Sequence, residues 1–267
     1  MTLPKDLILI RHGQSEANVV QKSEPGFAVP AGFATRHDSF MRLSTLGVTQ
    51  AANAGDWLRA NGMAENSQCY VSPHIRARET AANLNLNSSW FIDDLFRERD
   101  WGEYGGTAKE EQEIRFPYSY AAKAQMLWYW KPSGGESLAT GVRYRVNAIL
   151  DDLRLLQGVD SVLAVTHGEF IRTMQFVLEG MTPEEWVKMD NDPEYSIRNC
   201  MVVHYSRVNP VTKEEHPTYN FRRLVNTQDE ALSPDGGQWK ELHRRKFSNE
   251  DLMKSVDAYA PLLTLAV

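Results

Sequence analysis

The chain has 267 residues, 42% of them hydrophobic and 24% charged, proportions that exclude disorder or a fibrous repeat as a description of the whole. A formal net charge of -6 excludes a general nucleic-acid binder, which needs a basic surface to displace counterions, although a few arginines focused in a cleft still attract a small anion. Cys69 and Cys200 are the two cysteines and lie in apolar settings where a free thiol packs as a small hydrophobe, so a reducing compartment is expected and a zinc site is not.

From the N-terminus, Leu7-Ile8-Leu9-Ile10 is too short for a signal-peptide core or a membrane span, and no other stretch is long enough either. The reading is a cytoplasmic protein without membrane contact. Residues 7–10 and 161–165 are continuous, branched apolar runs, the pattern of strands buried on both faces of a parallel sheet; 69–71 and 201–205 are further strand candidates. Helical patterns occupy 46–60, 75–86, 137–156 and 170–178. In the third, Leu138, Val142, Val146, Ile149, Leu150 and Leu153 form a core-facing stripe. Thr182-Pro183-Glu184-Glu185 supplies an N-cap, a proline at the first helical position and a capping-box glutamate, so another helix starts there. Strands alternating with helices predict an α/β three-layer sandwich, with a mostly parallel central sheet flanked by helices on both faces. A single domain over 1–267 is expected, with a loop insertion at about 19–42 and a C-terminal extension from about 226; residues 19–42 and 226–249 are polar and rich in turn formers, and a last apolar stretch follows over 252–265.

Ligands of a wound α/β sheet bind in the crevice beyond the carboxyl ends of its strands. His12 follows the first strand and His167 follows the run ending at Val165, so adjacent parallel strands would put both imidazoles in one pocket. Gly13 and Gly168 beside them would let a ligand approach the backbone. Arg11 and Arg76, the latter in the first turn of a helix at the same sheet edge, add two planar donor forks suited to phosphate. Phosphoryl chemistry unites these features.

Six pieces in consistent order carry a resemblance: Arg11-His12-Gly13-Gln14-Ser15-Glu16-Ala17-Asn18; Leu43-Ser44-Thr45-Leu46-Gly47 with Gln50-Ala51; Ser72 to Ala81; Arg97-Glu98 with Gly102; Gly134-Gly135-Glu136-Ser137; and Thr166-His167-Gly168. Over roughly residues 7–205 the chain resembles branch 1 of the histidine phosphatase superfamily, which includes cofactor-dependent phosphoglycerate mutases and fructose-2,6-bisphosphatases. The resemblance implies that His12 accepts the phosphoryl group and that Arg11, Arg76 and His167 hold its equatorial oxygens, with Asn18 as a neutral donor. Glu98 matches the proton donor, and Gly168, Ser15, Trp101, Lys109 and Ser137 are further candidates for substrate binding. An imidazole attacks phosphorus only when unprotonated, and the positive neighbours should lower the pKa of His12 toward that form. Glu98 needs a raised pKa to act as an acid, which requires desolvation to outweigh the arginines. Fixed positive donors can stand in for a metal, so neither a metal nor a cofactor is expected.

In the mutases the segment after the acid carries a Tyr, then a Lys, then an Arg-Arg pair that binds the substrate carboxylate. Here Trp101 and Lys109 take the first two places, Ala124-Gln125 stands where the pair belongs, and Arg115 is a single, displaced substitute. Losing that fork removes most of the mutase specificity. The expectation is hydrolysis of a small phosphomonoester, with a small phosphorylated metabolite as partner and a homodimer kept open by analogy. Mutase-type phosphoryl transfer is the alternative, and a non-catalytic phosphate-ligand sensor or scaffold a further one. Tyr118, Tyr120, Trp128, Tyr129 and Trp130 read equally as pocket wall or as core, and His74, His204, His216 and His243 read as structural.

Overall fold

The computed structural model describes residues 2–23, 27–63, 67–105, 107 and 109–263. Its strands are β1 Asp6–Arg11, β2 Ser67–Val71, β3 Trp90–Ile92, β4 Ser161–Thr166, β5 Val202–Ser206, β6 Phe221–Val225 and β7 Lys240–Glu241. They form one sheet in the order β3-β2-β4-β1-β5-β6-β7. From β3 to β1 the pairings are parallel, and from β1 to β7 they are antiparallel. The helices are α1 Glu16–Gln21, α2 Thr45–Ala60, α3 Ile75–Asn83, α4 Lys109–Arg115, α5 Pro117–Met126, α6 Arg143–Leu155, α7 Gly168–Glu179, α8 Pro183–Asp190 and α9 Asn249–Asp257. Among the described residues no helix is long and apolar enough to cross a membrane.

Successive side chains of a strand face opposite sides, and β1 divides accordingly. Leu7 and Leu9 join Val162 and Ala164 under α6 and α7, with Val146, Ile149, Phe170 and Met174. Ile8 and Ile10 join Leu163 and Val165 under α2 and α3, with Ala54, Leu58, Ala77 and Ala81. The result is the expected three-layer α/β sandwich. All six stripe residues of the 137–156 pattern are buried, but its first turn, Leu138–Val142, is a π-helix that passes into α6. The Thr182 capping box forms as read, with Glu185 N–H donating to Oγ1 of Thr182.

Some elements depart from the sequence reading. The 19–42 insertion begins later than expected, because α1 runs to Gln21 on a capping box in which Ser15 and Asn18 serve each other. Six residues are too few to reveal a helical period. The ends of this excursion are then pinned together: Ser15 bridges Leu43, and the N–H of Ser44 donates to the carbonyl of Gln14 at 2.9 Å. Strand β6 was hidden by its two arginines. Arg222 is buried against both carboxylate oxygens of Glu179 at 3.0 Å, and Arg223 lies over the Trp239 ring at 4.9 Å, so each charge has a partner. In the extension, Asp235 accepts from the Tyr195 hydroxyl at 3.0 Å and β7 pairs with β6, while the final apolar stretch leaves Leu252, Met253 and Val256 exposed on α9.

Helices α2 and α3 approach through Gly55, where an added Cβ would meet the Leu84 carbonyl oxygen at 2.0 Å. Backbone cannot retreat as a flexible side chain does. Gly55→Ala is expected to destabilise the fold by about 1–3 kcal/mol, the range for overpacking. A urea melt showing unchanged stability would contradict this packing.

Candidate active site

The register of β1 against β4 sets Arg11 opposite Thr166, so the residues that follow, His12 and His167, leave the sheet side by side. The N–H of His12 donates to the Thr166 carbonyl at 3.0 Å, and that of Ser72 to Val165 at 3.0 Å, extending three neighbouring strands to the same level. The two imidazole centroids lie 5.1 Å apart at 63°. Both rings are buried.

His12 has a defined tautomer. Its Nδ1 lies 2.7 Å from the Gly13 carbonyl, which can only accept, so Nδ1 carries the proton and Nε2 keeps its lone pair. Arg76 Nε donates to that Nε2 at 3.2 Å. Burial, then the charges of Arg76 and Arg11, hold the pKa of His12 well below the ordinary 6.5. The same burial works in the opposite sense on Glu98. Desolvation raises its carboxyl above 4.5, against the Arg99 backbone N–H that donates to Oε1 at 3.0 Å and against the charges of Arg76 and Arg11. Desolvation therefore outweighs the arginines at Glu98, the direction that an acid role requires.

Arg11, His12, Ser15, Asn18, Arg76, Glu98, Trp101 and Gly168 line one cleft of ≈ 280 Å³. His167 stands behind the wall, its Nε2 2.7 Å from the Ser72 hydroxyl, with burial and then Arg76 holding its pKa well below 6.5. Ser137 is outside the lining and caps the π turn, accepting from the N–H of Thr140 at 3.0 Å. The Lys109 side chain lies outside the described residues, and Arg115 sits exposed beside Glu111 at 3.8 Å, not in the cleft. Gly13 makes room for protein, not ligand: a Cβ there would lie 2.4 Å from the Gly47 carbonyl oxygen. Gly168 lines the cleft beside Arg11, whose Nε would stand 3.4 Å from a Cβ.

The aromatic segment divides between core and surface. Trp128 stacks on Phe176 at 3.9 Å and Trp130 is buried, whereas Tyr118 and Tyr129 are exposed. His74, read as structural, instead joins the cluster with its ring 4.7 Å from that of His167; burial and Arg76 hold it down to about 4. Four further residues went unread. Asn199 donates Nδ2–H bonds to the His12 carbonyl at 2.9 Å and to Asn18 Oδ1 at 3.2 Å, bracing the turn. Glu169, Arg172 and Asp190 also line the cleft. Arg172 Nε stands 3.6 Å from Asp190, and Glu169, 3.6 Å from Arg99, is pushed up to about 8 by burial. Glu169 and Arg172 were findable: they fall three apart in the helix that opens at the second His-Gly pair. Among the described residues no group of three or more His, Cys, Asp or Glu could hold a metal ion.

The model of the histidine phosphatase superfamily (branch 1) matches residues 7–205. A 2,3-bisphosphoglycerate-dependent phosphoglycerate mutase from Methylorubrum populi is 30% identical over 185 residues, 66% of this chain and 80% of that protein. The mutase of the same name from a Chelativorans species is 32% identical over 193 residues, 69% of this chain and 86% of its own. In three dimensions a mycobacterial glucosyl-3-phosphoglycerate phosphatase is similar at TM-score 0.61, with 23% identity over 76% of this chain and 92% of that one. Phosphoserine phosphatase from Entamoeba histolytica is similar at TM-score 0.59 and 21% identity, over 80% and 94% of the two chains. At these identities the structural likeness concerns the fold.

The His12 geometry has a spectroscopic consequence. Nitrogen NMR of labelled protein should show His12 protonated at Nδ1 and still neutral as the pH falls through 6.5, since the folded pKa lies well below that value. An imidazolium signal titrating at 6.5 would refute the described burial of the ring.

Proposed function

The chain belongs to the histidine phosphatase superfamily, and from that premise we propose that it hydrolyses a small phosphomonoester through a phosphohistidine on Nε2 of His12. The observation that carries the reading is a buried imidazole whose Nε2 lone pair faces Arg76, with Glu98, its pKa raised by burial, in the same cleft. Nε2 attacks phosphorus and the bond to the leaving oxygen breaks. Arg11 and Arg76 offset the charge on the equatorial oxygens and Asn18 adds a neutral donor, with His167 behind the wall beside them, so positioning and electrostatics supply most of the catalysis. Glu98 protonates the leaving alkoxide. As a carboxylate it then takes a proton from water, whose oxygen attacks phospho-His12, releases phosphate and restores both residues.

Water as final acceptor is supported by the lining of the cleft. Beyond Arg11 and Arg76, the only arginine among the described lining residues is Arg172, which already faces Asp190. A substrate carboxylate lacks the paired fork that a mutase offers it. The mutase reading draws its support from the names of the relatives at 30–32% identity. Purified protein assayed with 4-nitrophenyl phosphate, and with 3-phosphoglycerate plus 2,3-bisphosphoglycerate, separates the two. Hydrolysis and acid-labile phosphate on His12 are expected; efficient isomerisation with negligible hydrolysis would sink the proposal.

His12→Ala should lower turnover on the order of a thousandfold or more, the scale for losing a covalent nucleophile. Glu98 works protonated, and its raised pKa keeps that form above the usual 4.5 and loses it as the pH climbs further. Activity on alkyl phosphates should therefore persist below pH 6.5 and fade on the alkaline side. Glu98→Gln should remove that alkaline decline and slow alkyl phosphates more than aryl ones; equal slowing would point to a different acid.

A further inference from the structure

Arg76 reaches the phosphoryl site on a long side chain from the first turn of α3, and its usefulness depends on which edge of the guanidinium faces His12. A flexible stem does not fix that edge. In the structure Nη1 donates to the backbone carbonyl of Asp38 at 2.7 Å and Nη2 to its carboxylate Oδ2 at 2.9 Å, while Nε faces His12. We propose that Asp38 is a positioning residue for the phosphoryl site, gripping the outer edge of Arg76 so that its inner edge is presented to a phosphoryl group on His12.

The grip is built, because the backbone that carries Asp38 is itself held. A short 3-10 turn, Asp38–Phe40, is capped by His37, whose Nδ1 accepts from the N–H of Ser39. On either side, Glu16 accepts from the Arg36 guanidinium at 3.1 Å and from the N–H of Arg42 at 2.9 Å. Glu79, one helical turn beyond Arg76 on α3, accepts from the N–H of Leu43 at 2.8 Å. The segment is thus tied to both α1 and α3, with Asp38 between the ties and in the cleft lining. A guanidinium has five N–H groups. The three contacts leave one hydrogen each on Nη1 and Nη2, and the Nε hydrogen comes free once a phosphoryl group covers His12 Nε2.

A carboxylate in an anion site has an opposite reading, in which it merely occupies the place of phosphate and competes with it. The two predict opposite signs. The inference uses Arg76 as a phosphate ligand, as in the proposed function, but does not depend on whether water is the final acceptor. The test is calorimetric binding of inorganic phosphate to the wild type, Asp38→Ala, Asp38→Asn, Arg76→Ala and the Asp38→Ala/Arg76→Ala double variant. Loss of a charge-assisted bond should weaken binding on the order of tenfold or more in Asp38→Ala. Asp38→Asn, which keeps an acceptor oxygen without the charge, should fall between it and the wild type. Adding Asp38→Ala to Arg76→Ala should change nothing more, the sign of action through one partner. Equal or tighter binding by Asp38→Ala, or independent effects in the double variant, would overturn the proposal. An unchanged affinity in Arg76→Ala would instead remove Arg76 from the phosphate site, a separate failure. The Asp38 side chain is 36% exposed, so the variants are expected to fold, and unfolding midpoints check this.

Discussion

The parallel pairing of β1 with β4 is the constraint on which the rest depends. It is a register, set by apolar side chains far from any chemistry. With Arg11 opposite Thr166, the two histidines emerge together, and a slip of one residue would send every core side chain of β1 to the wrong face. The buried runs Leu7 to Ile10 and Val162 to Val165 forbid that slip, because both faces are already filled. The geometry of the cleft is a by-product of packing beneath it.

Burial also divides the labour between imidazole and carboxyl. One desolvating environment disfavours charge on whatever it encloses, so it lowers the pKa of His12 and raises that of Glu98. The arginines reinforce the first effect and oppose the second. That Glu98 is nevertheless raised shows desolvation to be the larger influence at its position, the one quantity a residue pattern could not supply.

What was legible in the sequence was whatever is local. Continuous branched runs announced β1 and β4, the apolar stripe announced the helix running to Leu155, and the order of His, Arg and Glu pieces announced that Arg11, His12, Arg76 and Glu98 share a cleft. What was hidden depends on partners distant along the chain. Strand β6 carries two arginines that look like loop until Glu179 and Trp239 are placed beside them. Asp38 and Asp190 reach the cleft, and Asn199 the His12 turn, from segments whose positions no short-range period fixes. The Trp128 segment looked as much like a wall as a core until Phe176 was seen beneath it.

The pinned excursion between Ser15 and Leu43 has a consequence for how such a protein can diversify. Once the two ends of a loop are fastened, its closure entropy grows only logarithmically, by about 0.6 kcal/mol for each doubling of length. The fastening here is a backbone bridge and the Ser44 to Gln14 bond, neither of which depends on what the intervening residues are. Insertions and replacements between the pins are therefore thermodynamically mild. As long as Asp38 keeps its grip on Arg76, the rest of the segment can be rewritten while the reacting centre stays constant, and selectivity can drift without putting the core at risk.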